Sequence, residues 1–258
     1  MNILFIGDVV GAGGSAFIKN KLFALKKMLQ AELVIVNAEN SAVGNGVTPK
    51  SADFLLDYGA DVLTLGNHAL RRREIYDYLD NENNPILRPL NLHPSAPGRG
   101  LCVIDKGEHR IGIINLMGMF GMDSIDNPFN SIDNAVEQLK AEGCHIILVD
   151  FHAESTAEKR AMGFYLDGRV SAVLGTHTHV PTADEQILPH GTGYITDVGM
   201  TGPIDSCIGV KKELAIEKMK TLLPVRFENP DSACSMQGVI LEIEKDGRCL
   251  KIERIEVK

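Results

Sequence analysis

Short runs of Ile, Val and Leu recur along the chain, with amphipathic stretches between them. Ile3–Ile6, Leu33–Val36, Val62–Leu65, Ile111–Leu116, Ile146–Val149 and Ala172–Leu174 have the length and composition of strands buried on both faces. Phe17–Leu29 predicts a helix, with Phe17, Leu22, Leu25, Met28 and Leu29 near one face and Lys19, Lys26 and Lys27 elsewhere. Ser155-Thr156-Ala157-Glu158 has the S-x-x-E form of a capping box, and Gly168 can close the helix it opens. The period changes near the C-terminus. Val239–Glu244 and Leu250–Val257 alternate apolar and charged residues around Asp246-Gly247, which predicts a half-exposed antiparallel hairpin. The Pro- and Gly-rich stretch 85–110 reads as a long irregular excursion. With no internal repeat and no linker, this alternation predicts an α/β fold, a sheet core with covering helices, as a single domain over 1–258.

Composition narrows the partners. Lys plus Arg total 26 against 34 Asp plus Glu, a net charge of −8, which argues against an extended nucleic-acid footprint. No apolar run approaches the ~20 residues that span a bilayer, and the first residues lack the basic start and cleavage site of a signal peptide. Cys102, Cys144, Cys207, Cys234 and Cys249 are an odd, scattered set that reads as reduced thiols. A cytoplasmic protein is expected. No coiled coil or interface stripe is visible, and a homo-oligomer stays open.

The candidate chemistry lies at the ends of the apolar runs. Ile3–Ile6 leads to Gly7-Asp8, Leu33–Val36 to Asn37-Ala38-Glu39-Asn40, and Val62–Leu65 to Gly66-Asn67-His68. Ile146–Val149 leads to Asp150-Phe151-His152, and Ala172–Leu174 to Gly175-Thr176-His177-Thr178-His179. The C-terminal edge of an open α/β sheet is where ligands bind. One Asp after a strand is commonly a cap or turn former, and one His there is commonly a core residue. Five such endings together predict a shared site of Asp8, Glu39, Asn40, Asn67, His152, His177 and His179. That donor set, without thiolate, suits Mn²⁺, Fe or Zn²⁺, with Mg²⁺ weaker because it prefers oxygen ligands and retained water. Seven donors exceed one tetrahedral ion but match two ions ~3.5–4 Å apart, bridged by a carboxylate. Two divalent ions less Asp8 and Glu39 leave about +2, so an acidic protein can still attract a phosphate.

Gly11-Ala12-Gly13-Gly14-Ser15-Ala16 also matches a dinucleotide-binding fingerprint. Gly11 lies too far beyond Ile6 for the tight turn, however, and that reading leaves three histidines without a role. Asp150 and Glu154, which flank His152, and Asp197 are candidates to fix imidazole tautomers, with capping or turn roles as the alternative. His93, His109, His145 and His190 lie outside the ligand pattern.

Gly66-Asn67-His68 and Gly175–His179 resemble the G-N-H and G-H-x-H blocks of calcineurin-like metallophosphoesterases. The segments Ile3–Gly11, Asn37–Asn40, Asp150–Glu154, Gly175–Val180, Ile195–Pro203 and Leu223–Phe227 narrow the resemblance to the YmdB branch, over nearly the whole chain. The resemblance implies a four-layer α/β/β/α sandwich and a phosphodiesterase acting on 2′,3′- or 3′,5′-cyclic nucleotides. It implies two divalent metal ions per chain, Fe or Mn ahead of Mg or Zn. Asp8, Glu39, Asn40 and His179 would hold one, and Glu39, Asn67, His152 and His177 the other, with Glu39 bridging. Metal-bound hydroxide would attack phosphorus, and His68 would be the general acid. Val10 stands where the wider superfamily has the His of D-x-H, and Asn40 takes that ligand's place. After His68 the branch commonly has Thr-Trp-Asp, whereas Ala69-Leu70-Arg71 stand here, followed by Arg72 and Arg73. These arginines read either as a solvated helix start or as a phosphate-attracting rim. A phosphomonoesterase or nucleotidase on the same centre, and a non-catalytic nucleotide-binding regulator, are the alternative functions.

Overall fold

A computed structural model describes residues 1–122 and 126–258. The strands are β1 (Asn2–Ile6), β2 (Asp8–Val9), β3 (Leu33–Asn37), β4 (Val62–Thr64), β5 (Ile86–Leu87), β6 (Leu101–Asp105) and β7 (Arg110–Met117). They continue with β8 (Ile146–His152), β9 (Ala172–Thr176), β10 (Gln186–Ile187), β11 (Gly193–Ile195), β12 (Met200–Pro203), β13 (Cys234–Ile243) and β14 (Cys249–Val257). The helices are α1 (Gly11–Met28), α2 (Pro49–Asp57), α3 (Tyr76–Asp80), α4 (Pro128–Ala141), α5 (Thr156–Tyr165) and α6 (Lys212–Thr221).

Two sheets form. One has the order β2-β12-β13-β1-β3-β4-β5 with β14 added on β13, and the other runs β10-β11-β9-β8-β7-β6. Within the first, β1, β3, β4 and β5 are parallel; within the second, β7, β8, β9 and β11 are. The parallel register brings the strand ends level: Ile6 pairs with Val36, Asn37 with Thr64, and His152 with Thr176. Side chains alternate across each strand, so every sheet has two apolar faces to bury. Phe5, Ile35 and Val239 of one sheet meet Ile113, Leu148 and Leu174 of the other between the sheets. Leu4, Val34 and Leu63 pack under Ile18 and Leu22 of α1 and Leu55 of α2. Ile114, Val149 and Val173 pack under Val136 of α4 and Met162 of α5. The result is the four-layer α/β/β/α sandwich that the resemblance implies. No helix of the described residues is long and apolar enough to cross a membrane.

Three local expectations need correction. Helix α1 starts at Gly11 and buries Gly11, Gly14, Ser15, Ile18, Leu22 and Leu25, while Met28 is 72% exposed. The early glycines belong to the helix because a Cβ on Gly14 would collide with the Thr201 carbonyl of β12. Those glycines therefore serve close helix–sheet packing and not a pyrophosphate turn. Ser155 does cap α5, accepting from the Glu158 N–H at 3.3 Å, but the Glu158 carboxylate turns away and accepts from the Met119 N–H at 2.9 Å. The excursion 85–110 contains β5 and a hairpin in which Leu101–Asp105 pairs with Arg110–Ile114. The C-terminal hairpin forms as expected, with Gly247 at φ +92° in its turn.

Asp61 ties these layers together just before β4. It accepts from the Val34 N–H at 2.8 Å, from Lys26 at 2.9 Å and from Lys106 at 3.0 Å. Partial burial opposes its charge, but the two lysines and the N–H outweigh it and hold the carboxyl below its ordinary value. A depressed folded-state pKa stabilises the fold above the unfolded value of about 3.9 and loses that contribution as pH falls through the folded value. Asp61→Asn is expected to cost about 1–2 kcal/mol in urea unfolding at pH 7, with the gap to wild type closing between pH 4 and pH 2. A gap that stays constant over that interval would show that the carboxylate charge contributes nothing.

Candidate metal centre

Asp8 opens β2, Glu39 and Asn40 follow β3, Asn67 and His68 follow β4, His152 ends β8, and His177 and His179 follow β9. All lie at the level C-terminal edge of the two sheets, and the geometry brings them together. His152 Nδ1 is 2.8 Å from Thr176 Oγ1, whose hydroxyl donates to Asp150 Oδ1 at 2.7 Å. With that hydroxyl proton committed, His152 Nδ1–H is the donor and Nε2 turns its lone pair inward. Nε2 lies 3.0 Å from Asn67 Oδ1, 3.1 Å from His177 Nδ1 and 3.3 Å from Glu39 Oε2. His177 Nε2 faces Glu154 Oε2 at 3.1 Å. His179 Nδ1 donates to the Ile208 carbonyl at 2.9 Å, leaving Nε2 toward Asp8 Oδ1 at 3.6 Å. Each of the three rings thus has an outer nitrogen held by an acceptor; the inner nitrogens of His152 and His179 face carboxylates, and that of His177 faces His152 Nε2.

Glu39 sits between two groups. Its Oε1 is 2.9 Å from Asn40 Nδ2 and 3.3 Å from His68 Nδ1, while Oε2 accepts from the His68 N–H at 3.1 Å and faces His152. His177 and His179 adopt φ of +101° and +63°, a left-handed backbone that costs about 1–3 kcal/mol per residue and persists only where surroundings enforce it. The enforcement is visible. Asp8 Oδ2 accepts from the His177 N–H at 3.2 Å, and Asp197 Oδ2 accepts from the Thr178 N–H at 3.0 Å.

The buried carboxylates of the site are held ionised by the histidines around them. Burial works against ionised Asp8, yet His179 and His152 outweigh it and keep its carboxyl below the ordinary value. Burial opposes the Glu39 charge as well, and His152 and His68 hold that carboxyl well below its usual range. Burial pulls His179 down, but Asp8 lifts it to about 9; His152 is raised by Glu39 in the same way. Among the described residues Asp8 Oδ1 is buried with no hydrogen-bond partner. Donor atoms of Glu39, His152 and His177 all lie within 4.8 Å of one another. A Cβ on Gly66 would run into the His152 ring and the Glu39 carboxylate, so this position must be glycine for the donors to meet. Oxygen and imidazole donors converging on an orphaned carboxylate oxygen fit a divalent cation.

Asn40 departs from the expected ligand geometry: its Nδ2 faces Glu39 and His179, and its Oδ1 accepts from His68 Nδ1 at 2.9 Å. An amide NH₂ cannot ligate a cation, and a half-turn of the amide puts Oδ1 in its place. Of the three supporting acids, Glu154 contacts the His177 ring, Asp150 reaches the His152 ring through Thr176, and Asp197 holds the loop backbone. Thr176, the Ile208 carbonyl and Lys159, which is 2.8 Å from Asp197, are positioning groups that the sequence reading passed over. Thr176 is the only one with a signal, lying within the Gly-Thr-His-Thr-His run. Arg72 is not a solvated helix start; it donates to the carbonyls of Val43 and Asn45.

A model of the YmdB-like protein family matches residues 4–255. The 2′,3′-cyclic-nucleotide 2′-phosphodiesterase of Bacillus subtilis (strain 168) is 44% identical over 256 residues, covering 99% of this chain and 96% of that one. A hypothetical protein of Thermus thermophilus superimposes with a TM-score of 0.94 at 39% identity, covering 100% and 99% of the two chains. A phosphatase from Mycoplasma pneumoniae gives 0.92 at 36% identity, covering 100% and 93%. With an end-to-end family match and relatives this similar over their whole length, the chain belongs to the YmdB-like family.

Proposed function

We propose that the chain, as one cytoplasmic domain over 1–258, is a two-metal phosphodiesterase that opens 2′,3′-cyclic nucleotides. The observation that carries this is the pair of donor groups meeting at Glu39, each oxygen of which faces one of them. Asp8, Asn40 and His179 with Glu39 would hold one cation, and Asn67, His152 and His177 with Glu39 the other. Fe or Mn suits these donors best. Divalent ions bound there supply a lowered water pKa and stabilisation of charge on the phosphoryl oxygens. The activity of the Bacillus relative supports the choice of substrate.

In the hydrolysis, a water oxygen bonds to phosphorus, the bond from phosphorus to one ribose oxygen breaks, and that oxygen needs a proton. His68 is placed to give it. Its N–H donates to Glu39 and its Nδ1 lies 2.9 Å from the Asn40 amide, which fixes the ring; with Asn40 turned so that Oδ1 ligates, Nδ2 would donate to Nδ1 and the ring proton would sit on Nε2. Asp150, through Thr176, keeps His152 in the tautomer whose Nε2 is a lone pair. Glu154 does the same for His177 from its outer nitrogen.

The test combines metal analysis of reconstituted protein with a panel of 2′,3′-cyclic AMP, 3′,5′-cyclic AMP and a phosphomonoester. Two metal equivalents and turnover of the 2′,3′-cyclic compound are expected. Under one equivalent with no hydrolysis overturns the proposal, and preference for the phosphomonoester turns it into a phosphatase. His68→Ala should retain both metals while kcat falls about 10²–10⁴-fold, the range for loss of a general acid. Full activity in that variant removes His68 from the reaction.

A further inference from the structure

A cavity of about 970 Å³ is walled by segments that adjoin the donor cluster along the chain. Three chain segments run from the cluster into its wall. Asn45 follows Asn40 by five residues, and the Arg71 N–H donates to the His68 carbonyl at 3.0 Å. Val210 follows Ile208, the residue whose carbonyl holds His179. Although the chain carries a net charge of −8, this wall presents Arg71, Arg72 and Arg226, with Phe227 exposed at 48%. Glu228 and Asp231 also line it; Glu228 is paired with Lys211 at 2.7 Å. Arg72 is spent on the Val43 and Asn45 carbonyls, whereas among the described residues no carboxylate pairs with Arg71 or Arg226.

This space and charge exceed what a cyclic mononucleotide uses. Pockets for ligands of that size span ~300–1,000 Å³, and this cavity reaches the top of that range without the space among the donors. A cyclic mononucleotide also has a single phosphate, which the cations take, so it has nothing to offer two further guanidinium groups. Arginine forks match phosphate oxygens bidentately, and an exposed aromatic ring beside them stacks a base. We infer that the cavity holds a second phosphate and a second base, so that the preferred substrate is a short oligoribonucleotide ending in a 2′,3′-cyclic phosphate. Such ends form when a 2′-hydroxyl attacks the adjacent phosphodiester and expels the 5′-oxygen. Arg71 and Arg226 bind the internal phosphodiester without cleaving it, and Phe227 stacks the base upstream. The acidic remainder of the surface limits the bound strand to a few nucleotides.

The inference rests on the proposed cyclic-phosphate hydrolysis, and its test separates the two. Metal-loaded protein is assayed with adenosine 2′,3′-cyclic phosphate, with the same compound carrying a 5′-phosphate, and with ApA ending in a 2′,3′-cyclic phosphate. The dinucleotide is expected to give kcat/KM about tenfold or more above the mononucleotide, expressed in KM. The 5′-phosphorylated compound should fall between them, and the gain should shrink between about 50 and 200 mM salt. Arg71→Met, Arg226→Met and Phe227→Ala should each lower the dinucleotide-to-mononucleotide ratio about threefold or more, a ratio internal to each preparation. Equal kcat/KM for dinucleotide and mononucleotide overturns the inference and leaves cyclic-phosphate hydrolysis standing. A 5′-phosphate that alone recovers the full gain removes the second base. No hydrolysis of any of the three overturns the underlying activity as well.

Discussion

Glu39→Gln is expected to lower kcat/KM by at least about 1,000-fold, the equivalent of ~4 kcal/mol of transition-state stabilisation. The substitution keeps the volume of the side chain and removes the negative charge on which both donor groups converge. Glutamine can still accept from the His68 N–H through its oxygen, but it cannot present a ligating oxygen to both groups at once. The second expected effect is thermodynamic. A ligand at 100 times its Kd stabilises the fold by about 2.7 kcal/mol, and about 2–4 °C per kcal/mol applies to a chain of this size. Wild type should therefore gain roughly 5–10 °C in Tm when Mn²⁺ is added to chelator-treated protein. The variant should gain little and should hold fewer than two equivalents by elemental analysis. A variant that binds two equivalents and shows the wild-type Tm rise would take Glu39 out of the bridging position.

The edge at which all this happens is legible in the sequence for a physical reason. Parallel strands buried on both faces read as unbroken apolar runs, and each donor follows its run within a few residues. Once Ile3–Ile6, Leu33–Val36 and Ile146–Val149 are recognised as strands, Asp8, Glu39 and His152 must lie at strand ends. What stays hidden depends on partners distant in sequence. Gly13 and Gly14 read as part of a dinucleotide-binding fingerprint until β12 is seen to press against Gly14 and Cys234 of β13 to face Gly13. Leu101–Asp105 is masked by the Pro- and Gly-rich residues before it and becomes a strand because Arg110–Ile114 pairs with it. The orientation of the Asn40 amide is set by His68, Glu39 and His179 together, which no local pattern encodes. The cavity wall is hidden for the same reason, since Arg71 and Arg226 lie 155 positions apart.

Lys159 is the extreme case, and its replacement should give the largest loss of stability. Between Glu158 and Arg160 on an amphipathic helix, it reads as a solvated lysine, yet only 1% of its side chain is exposed. Its ammonium lies 2.8 Å from Asp197, itself fully buried, and the same carboxylate accepts from the N–H groups of Thr178 and Gly199 at 3.0 and 2.9 Å. Lys159→Ala strands that carboxylate without its cation, at a cost of about 3–5 kcal/mol, or roughly 6–20 °C in Tm at the slope for a chain of this size. The loss should extend to the site. Thr178 lies between two histidines with left-handed backbones, and relaxing the Asp197 anchor lets their rings drift from Asp8 and His152. Metal affinity should fall even in the folded fraction, read by titration below the unfolding transition. Lys159→Met with Asp197→Asn removes both charges while retaining side-chain volume and an amide oxygen for the Thr178 N–H. This double variant should recover much of the stability, because a buried pair is far costlier to break than to neutralise. If the double variant is no more stable than Lys159→Ala, removing both charges does not relieve the loss and the stranded Asp197 carboxylate is not its cause. If Lys159→Ala unfolds with the wild-type midpoint, the buried pair does not anchor the loop.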